Sequence, residues 1–179
     1  MKSTPHAYGK LAISLHWISM LLIVVLAPLG TIMVRLGDNP IRANLYRLHA
    51  GIGLLVLLLT LARVLWRSLD RDPEPPQGIA GKHLTLFKAV HFLLYAALLS
   101  LTITGLGMLS ASGVGLSLGA LSPELITSEM QPRMGHSLIS KLFIALFLAH
   151  LGGVLLYQVQ KGDILHRMGI PWFQKKTAV

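Results

Sequence analysis

Four long apolar runs, each separated from the next by a polar or proline-rich stretch, set the pattern of this chain. They extend over Leu11–Val34, Leu45–Trp66, Leu84–Leu109 and Ser137–Tyr157. A helix needs about 20 apolar residues to cross ~30 Å of hydrocarbon, so each run predicts a membrane-spanning helix. The expected architecture is all-α: a single integral membrane four-helix bundle over residues 1–179. The first run is too long for a signal peptide and lacks a suitably placed small-residue cleavage site, so it is expected to stay as a helix. Pro28 predicts a kink in its upper half, which membrane helices tolerate.

The breaks have distinct characters. Arg35-Leu36-Gly37-Asp38-Asn39-Pro40 reads as a polar turn. Asp70-Arg71-Asp72-Pro73-Glu74-Pro75-Pro76 reads as a stiff, solvated connection, because consecutive prolines cannot continue a helix. The longest break, Ser110 to Gly135, is rich in Gly and Ser, and Ser122 is expected to cap a short helix starting at Pro123-Glu124. A connection of this length reads as a cover over one end of the bundle.

Composition narrows the class. A mean hydropathy of +0.63, with 53% hydrophobic and 13% charged residues, excludes an ordinary soluble domain. Of the 16 Lys and Arg, eleven fall at the N-terminus, the second connection and the C-terminus, and five (Arg35, Arg42, Arg47, Arg133, Lys141) on the other side. The positive-inside rule then puts both termini in the cytoplasm of a bacterial inner membrane. The net charge of +9 suits lipid headgroups and calls for no nucleic-acid partner. With no cysteine, the chain excludes disulfides, thiolate clusters and covalent c-type haem attachment.

Histidine carries the remaining chemistry. His136 and His150 are fourteen residues apart in the fourth run, close to four helical turns, so both imidazoles project from one face about 21 Å apart along the axis. Intramembrane ionisable residues are costly and usually functional. By depth, His16, His91 and His150 lie in the cytoplasmic half, and His49 and His136 toward the periplasm. His6, His83 and His166 fall at or beyond the span ends and read as surface residues. Pairing by depth gives His16 with His150 and His49 with His136, the axial sets of two six-coordinate b haems. A structural zinc site would want four clustered ligands, which two separated pairs do not supply.

His91 has three readings: a replacement ligand for His16, a proton donor at a haem edge, or a hydrogen bond within the bundle. Fourteen residues after His16, His49 and His91 stand Gly30, Arg63 and Gly105, each expected on its histidine's face at the other level. Glycine there leaves room for a porphyrin, and Arg63 could pair with a propionate or line a quinone pocket. Arg42, Arg47 and Arg133 near the periplasmic pair either neutralise propionates, snorkel to the interface or attract a small anionic substrate. Trp17 reads as an interfacial aromatic.

The motifs Ile13-Ser14-Leu15-His16-Trp17, His49-Ala50-Gly51-Ile52-Gly53 with Arg63-Val64-Leu65-Trp66-Arg67, the proline-rich second connection, and Gly135-His136 followed by His150 resemble the bacterial cytochrome b-561 family. The resemblance covers nearly the whole chain. It implies four membrane helices and two b haems, with ligands corresponding to His16, His49, His136 and His150. It also implies transmembrane electron transfer, and a short stand-alone member of the family oxidises periplasmic superoxide and reduces ubiquinone. Close relatives often carry His-His seven and eight residues after the last ligand, on the quinone side, where this chain has Tyr157-Gln158.

The expected function is therefore a di-haem cytochrome passing electrons to quinone, from superoxide or a redox partner protein. Two alternatives have different signatures. A membrane anchor and electron conduit for a dehydrogenase or hydrogenase would co-purify with its soluble partner, and a haem-free histidine-lined transporter would lack a Soret band.

Overall fold

The computed structural model describes residues 2–37 and 39–170. Four long helices dominate it: α1 (Lys10–Arg35), α2 (Ile41–Leu69), α3 (Gly81–Ala111) and α4 (Gln131–Gln160), followed by the one-turn α5 (Ile164–Arg167). All four long helices have the length and hydropathy to cross a membrane. They also leave large apolar side chains such as Leu21, Leu58, Phe92, Ile103 and Leu138 exposed. In water such a surface would aggregate; in lipid it is the correct face to show.

Each helix runs past its apolar run. α2 starts at Ile41 directly after Pro40, and α4 starts at Gln131 with Pro132 in its first turn. Proline suits that position because its missing N–H is among those a helix start leaves unbonded anyway. As a result Arg42, Arg133 and His136 are helical residues.

α1 packs along α2 and α3 along α4, with α2 against α3 joining the two layers, while α1 and α4 hardly touch. Small residues set the closest approach. A methyl group on Gly107 would come within 3.2 Å of Pro132, and one on Gly135 within 3.5 Å of Thr104, so α3 and α4 meet there almost backbone to backbone. Ser19 and Thr60 are wholly buried, each hydroxyl donating to the carbonyl four residues back, at Leu15 and Val56. The middle of the bundle is closed by Val56, Ala97, Leu98 and Phe143.

At the basal end, which carries the N-terminal lead and the C-terminal segment, an apron of hydrogen bonds ties four segments together. Tyr8 N–H donates to Arg167 O at 3.2 Å, and Glu74 N–H to Pro5 O at 2.9 Å. The buried Arg167 guanidinium donates to Glu74 O. Trp17 Nε1–H donates to Met168 O at 2.9 Å, so this aromatic fastens α1 to the segment directly after α5.

At the distal end the connection between α3 and α4 folds inward as two 3-10 turns, Leu118–Ala120 and Pro123–Leu125. Ser122 precedes the second turn as expected, but makes no side-chain cap and donates to the Glu124 carboxylate instead. Leu121, 2% exposed, sits between Tyr46 and Leu109 and bolts the connection onto the bundle.

Candidate haem site

α2 and α4 bring His49 and His136 together near the distal end, with ring centroids 6.2 Å apart and the ring planes 73° apart. The two rings line an apolar cavity of about 490 Å³ walled by all four helices and closed distally by Leu121 and Ile126. Binding cavities for small molecules typically measure ~300–1,000 Å³.

Hydrogen bonds fix how His136 presents itself. Its Nδ1 lies 3.0 Å from Leu101 O and 3.1 Å from Thr104 Oγ1. A carbonyl can only accept, so Nδ1 carries the proton and Nε2 keeps its lone pair. Ligating histidines nearly always have their other nitrogen held in this way. His49 Nδ1 is buried without a hydrogen-bond partner among the described residues. Gly30 faces it closely: a methyl group there would come within 3.0 Å of His49 Cε1. Gly105 stands in the same relation to His136, with a methyl position 3.8 Å from Cε1. Both glycines expected on the histidine-bearing faces thus abut an imidazole of the distal pair.

Haem fits this pair. Two metal–nitrogen bonds of about 2 Å in line, plus the inner half of each ring, span roughly 6 Å. The observed separation, the open Nε2 of His136 and the apolar walls all meet that requirement.

The basal level holds three histidines. His91 packs edge-on against His150 with centroids 4.9 Å apart, and its Nδ1–H donates to Phe87 O at 2.7 Å. His16 lies within electrostatic range of both. Its Nδ1 is 3.2 Å from Arg63 Nη2, and because a guanidinium can only donate, the His16 proton sits on Nε2. Arg63 also lies over the Tyr95 ring, 5.1 Å from its centroid. The 4.9 Å between His91 and His150 is too short for a metal in line between those two rings.

The distal arginines are engaged with the protein itself. Arg47 Nε donates to Leu121 O at 3.0 Å and Arg133 Nη1 to Ile126 O at 3.3 Å, so both pin the inward-folded connection. Arg42 lies over Tyr46. Tyr157 and Gln158 are likewise structural: the Tyr157 hydroxyl donates to Gln77 O at 2.9 Å, and Gln158 Oε1 accepts from Leu165 N–H at 3.0 Å. Sequence patterning missed these ties, since their partners are backbone carbonyls and amides of connections whose course no periodicity announces.

A membrane-crossing helical bundle that opposes two imidazoles across an apolar cavity is the framework of a membrane-bound b-type cytochrome. The chain belongs to the family described as prokaryotic cytochrome b561, whose model matches residues 7–169. Among curated proteins it is similar to cytochrome b561 homolog 2 of Escherichia coli (strain K12), with 29% identity over 116 residues, 64% of this chain and 62% of that protein. The aligned part therefore spans less than two thirds of that relative. It is also similar to cytochrome b561 homolog 1 of the same organism, with 28% identity over 174 residues, 90% of this chain and 96% of that protein. Family membership brings haem b as cofactor and electron transfer as the general activity.

Proposed function

We propose that this chain is a di-haem cytochrome of the bacterial inner membrane, carrying electrons between a donor on the periplasmic side and ubiquinone on the cytoplasmic side. The observation that carries the reading is the opposed His49–His136 pair in its apolar cavity, with a second group of imidazoles one bundle-depth away. Bound haem supplies an iron that accepts and returns one electron at a time. The protein's own work is to hold His136 in its ligating tautomer, exclude water and set the two levels a fixed distance apart. Both termini lie on the cytoplasmic side in this reading, where the basic residues concentrate.

The distal pair is His49 and His136. The basal pair is His16 and His150, with His91 as a hydrogen-bonded neighbour, because the His91–His150 approach is too close for a metal between them. Arg63 donates to His16 Nδ1; were His16 to hold the haem through Nε2, its proton would sit on Nδ1 and the Arg63 guanidinium would be free for a carboxylate or quinone oxygen. His136→Ala should remove one haem and leave the other, measured as the haem-to-protein ratio of purified protein. Equal loss of both haems in a folded bundle would contradict the pairing. At the basal level, His16→Ala should lose a haem and His91→Ala should keep it; the reverse result would exchange their roles.

The proposed donor is superoxide, which gives up one electron to become dioxygen, so two superoxides reduce one quinone with uptake of two protons. The likeness to the stand-alone family type and the cationic distal end support this choice. Stopped-flow mixing of oxidised protein with superoxide tests it, and haem reduction no faster than the spontaneous rate would remove that donor from consideration.

A further inference from the structure

The distal cavity has a charge imbalance that its histidines do not explain. Its lining includes Arg35, Arg133 and Lys141 and no acidic side chain. Arg133 is held by the Ile126 carbonyl. The one ion pair among the described residues joins Arg67 and Asp72, so neither Arg35 nor Lys141 has a carboxylate partner among those residues.

Lys141 is the more demanding of the two. It lies five residues beyond His136 on α4, about 7–8 Å further along the helix axis, and is exposed at the cavity's edge. An ammonium that deep in a membrane-crossing helix is costly unless an anion meets it or its stem carries it toward the interface. Ser137 and Ser140 line the cavity beside it, and Arg35 ends the facing helix α1. α1 and α4 do not close on each other, and the groove between them shares Ile23, Ala27, Thr31, Phe143 and Ile144 with the cavity wall. The cations thus stand at the open side of the chamber, and the arginines nearest the histidines are committed elsewhere.

We infer that Lys141, with Arg35, binds the carboxylates of the haem held between His49 and His136, so that the macrocycle lies with its propionate edge at the α1–α4 seam. This inference rests on the distal haem of the preceding section. Its chemistry is a charge-assisted hydrogen bond between ammonium or guanidinium and carboxylate.

The test crosses the side chain with the ligand. Full-length wild type, Lys141→Gln, Lys141→Arg and Arg35→Gln are produced in haem-depleted membranes and loaded with either haem b or its dimethyl ester, which lacks free carboxylates. Haem loss to an apo-myoglobin acceptor is then timed for each. Lys141→Gln should lose the distal haem b roughly tenfold faster than wild type, by the usual strength of a charged hydrogen bond. Lys141→Arg should restore retention, and the dimethyl ester should leave wild type and Lys141→Gln alike. Arg35→Gln should show a smaller effect of the same kind.

Unchanged haem b retention in both glutamine variants overturns the inference. So does equal weakening with haem b and ester, which would make Lys141 a packing residue. If His136→Ala binds as much haem as wild type, the distal haem itself is misassigned, and this inference falls with it. That result is read independently of Lys141.

Discussion

Gly30 shows how finely the site is set by single residues. The place a methyl group would take lies 3.0 Å from His49 Cε1, so Gly30→Ala must push the ring or spread α1 from α2. Overpacking of this kind costs about 1–3 kcal/mol, and here it falls on a proposed ligand. The variant should stay helical by circular dichroism but bind less haem at the distal level, with the basal haem unaffected. Unaltered haem content would mean that His49 has slack the structure does not show. The position was legible in the sequence because fourteen residues is near four turns, which carries Gly30 from His16 to the level of His49, and Arg63 from His49 to the level of His16. The contact of His91 with His150 was not legible. It depends on the rotation of α3 against α4, which the close Gly107–Pro132 and Gly135–Thr104 approaches set.

At the scale of elements, the connection between α3 and α4 is a built cover. Leu121 fills the space between Tyr46 and Leu109, and Arg47 and Arg133 each hold one of its carbonyls. Leu121→Ala removes a buried side chain and should cost about 2–4 kcal/mol of local stability. Limited proteolysis between Ser112 and Met130 should accelerate while the four helices remain; an unchanged cleavage rate would show that the arginine bonds suffice. The apolar runs made the long helices readable, because period and length are local properties. Helix ends were not, since polar first turns such as Gln131–Gly135 carry no hydrophobic signal even though Pro132 suits that position. For the same reason the bonds that Arg47 and Arg133 make to the cover were not legible.

Across the whole molecule, the basal apron makes the N-terminal lead and the segment around α5 part of the fold. Ser3 donates its hydroxyl to Asp70 at 2.7 Å and its amide at 3.1 Å, and these bonds, the side-chain one foremost, hold the Asp70 carboxyl below its ordinary pKa. A depressed folded value means the attachment is fully present above the ordinary aspartate range and fades as pH falls through the folded value. Cleavage of the N-terminal lead should therefore be slow at neutral pH and rise in acid, and Ser3→Ala should raise it at neutral pH. A flat pH profile would sever that link.

The packing order of the helices has a further consequence for how the molecule comes together. α1 with α2 and α3 with α4 are two hairpins, and each proposed haem draws one histidine from either hairpin: His49 and His136, His16 and His150. The cofactors then act as rivets between two halves that could insert separately. Association of preformed helices in lipid has little hydrophobic drive of its own. Haem supply, more than helix insertion, would then set the rate of assembly. Halves divided within the proline-rich connection and produced together should pair and show a cytochrome spectrum only when haem is available.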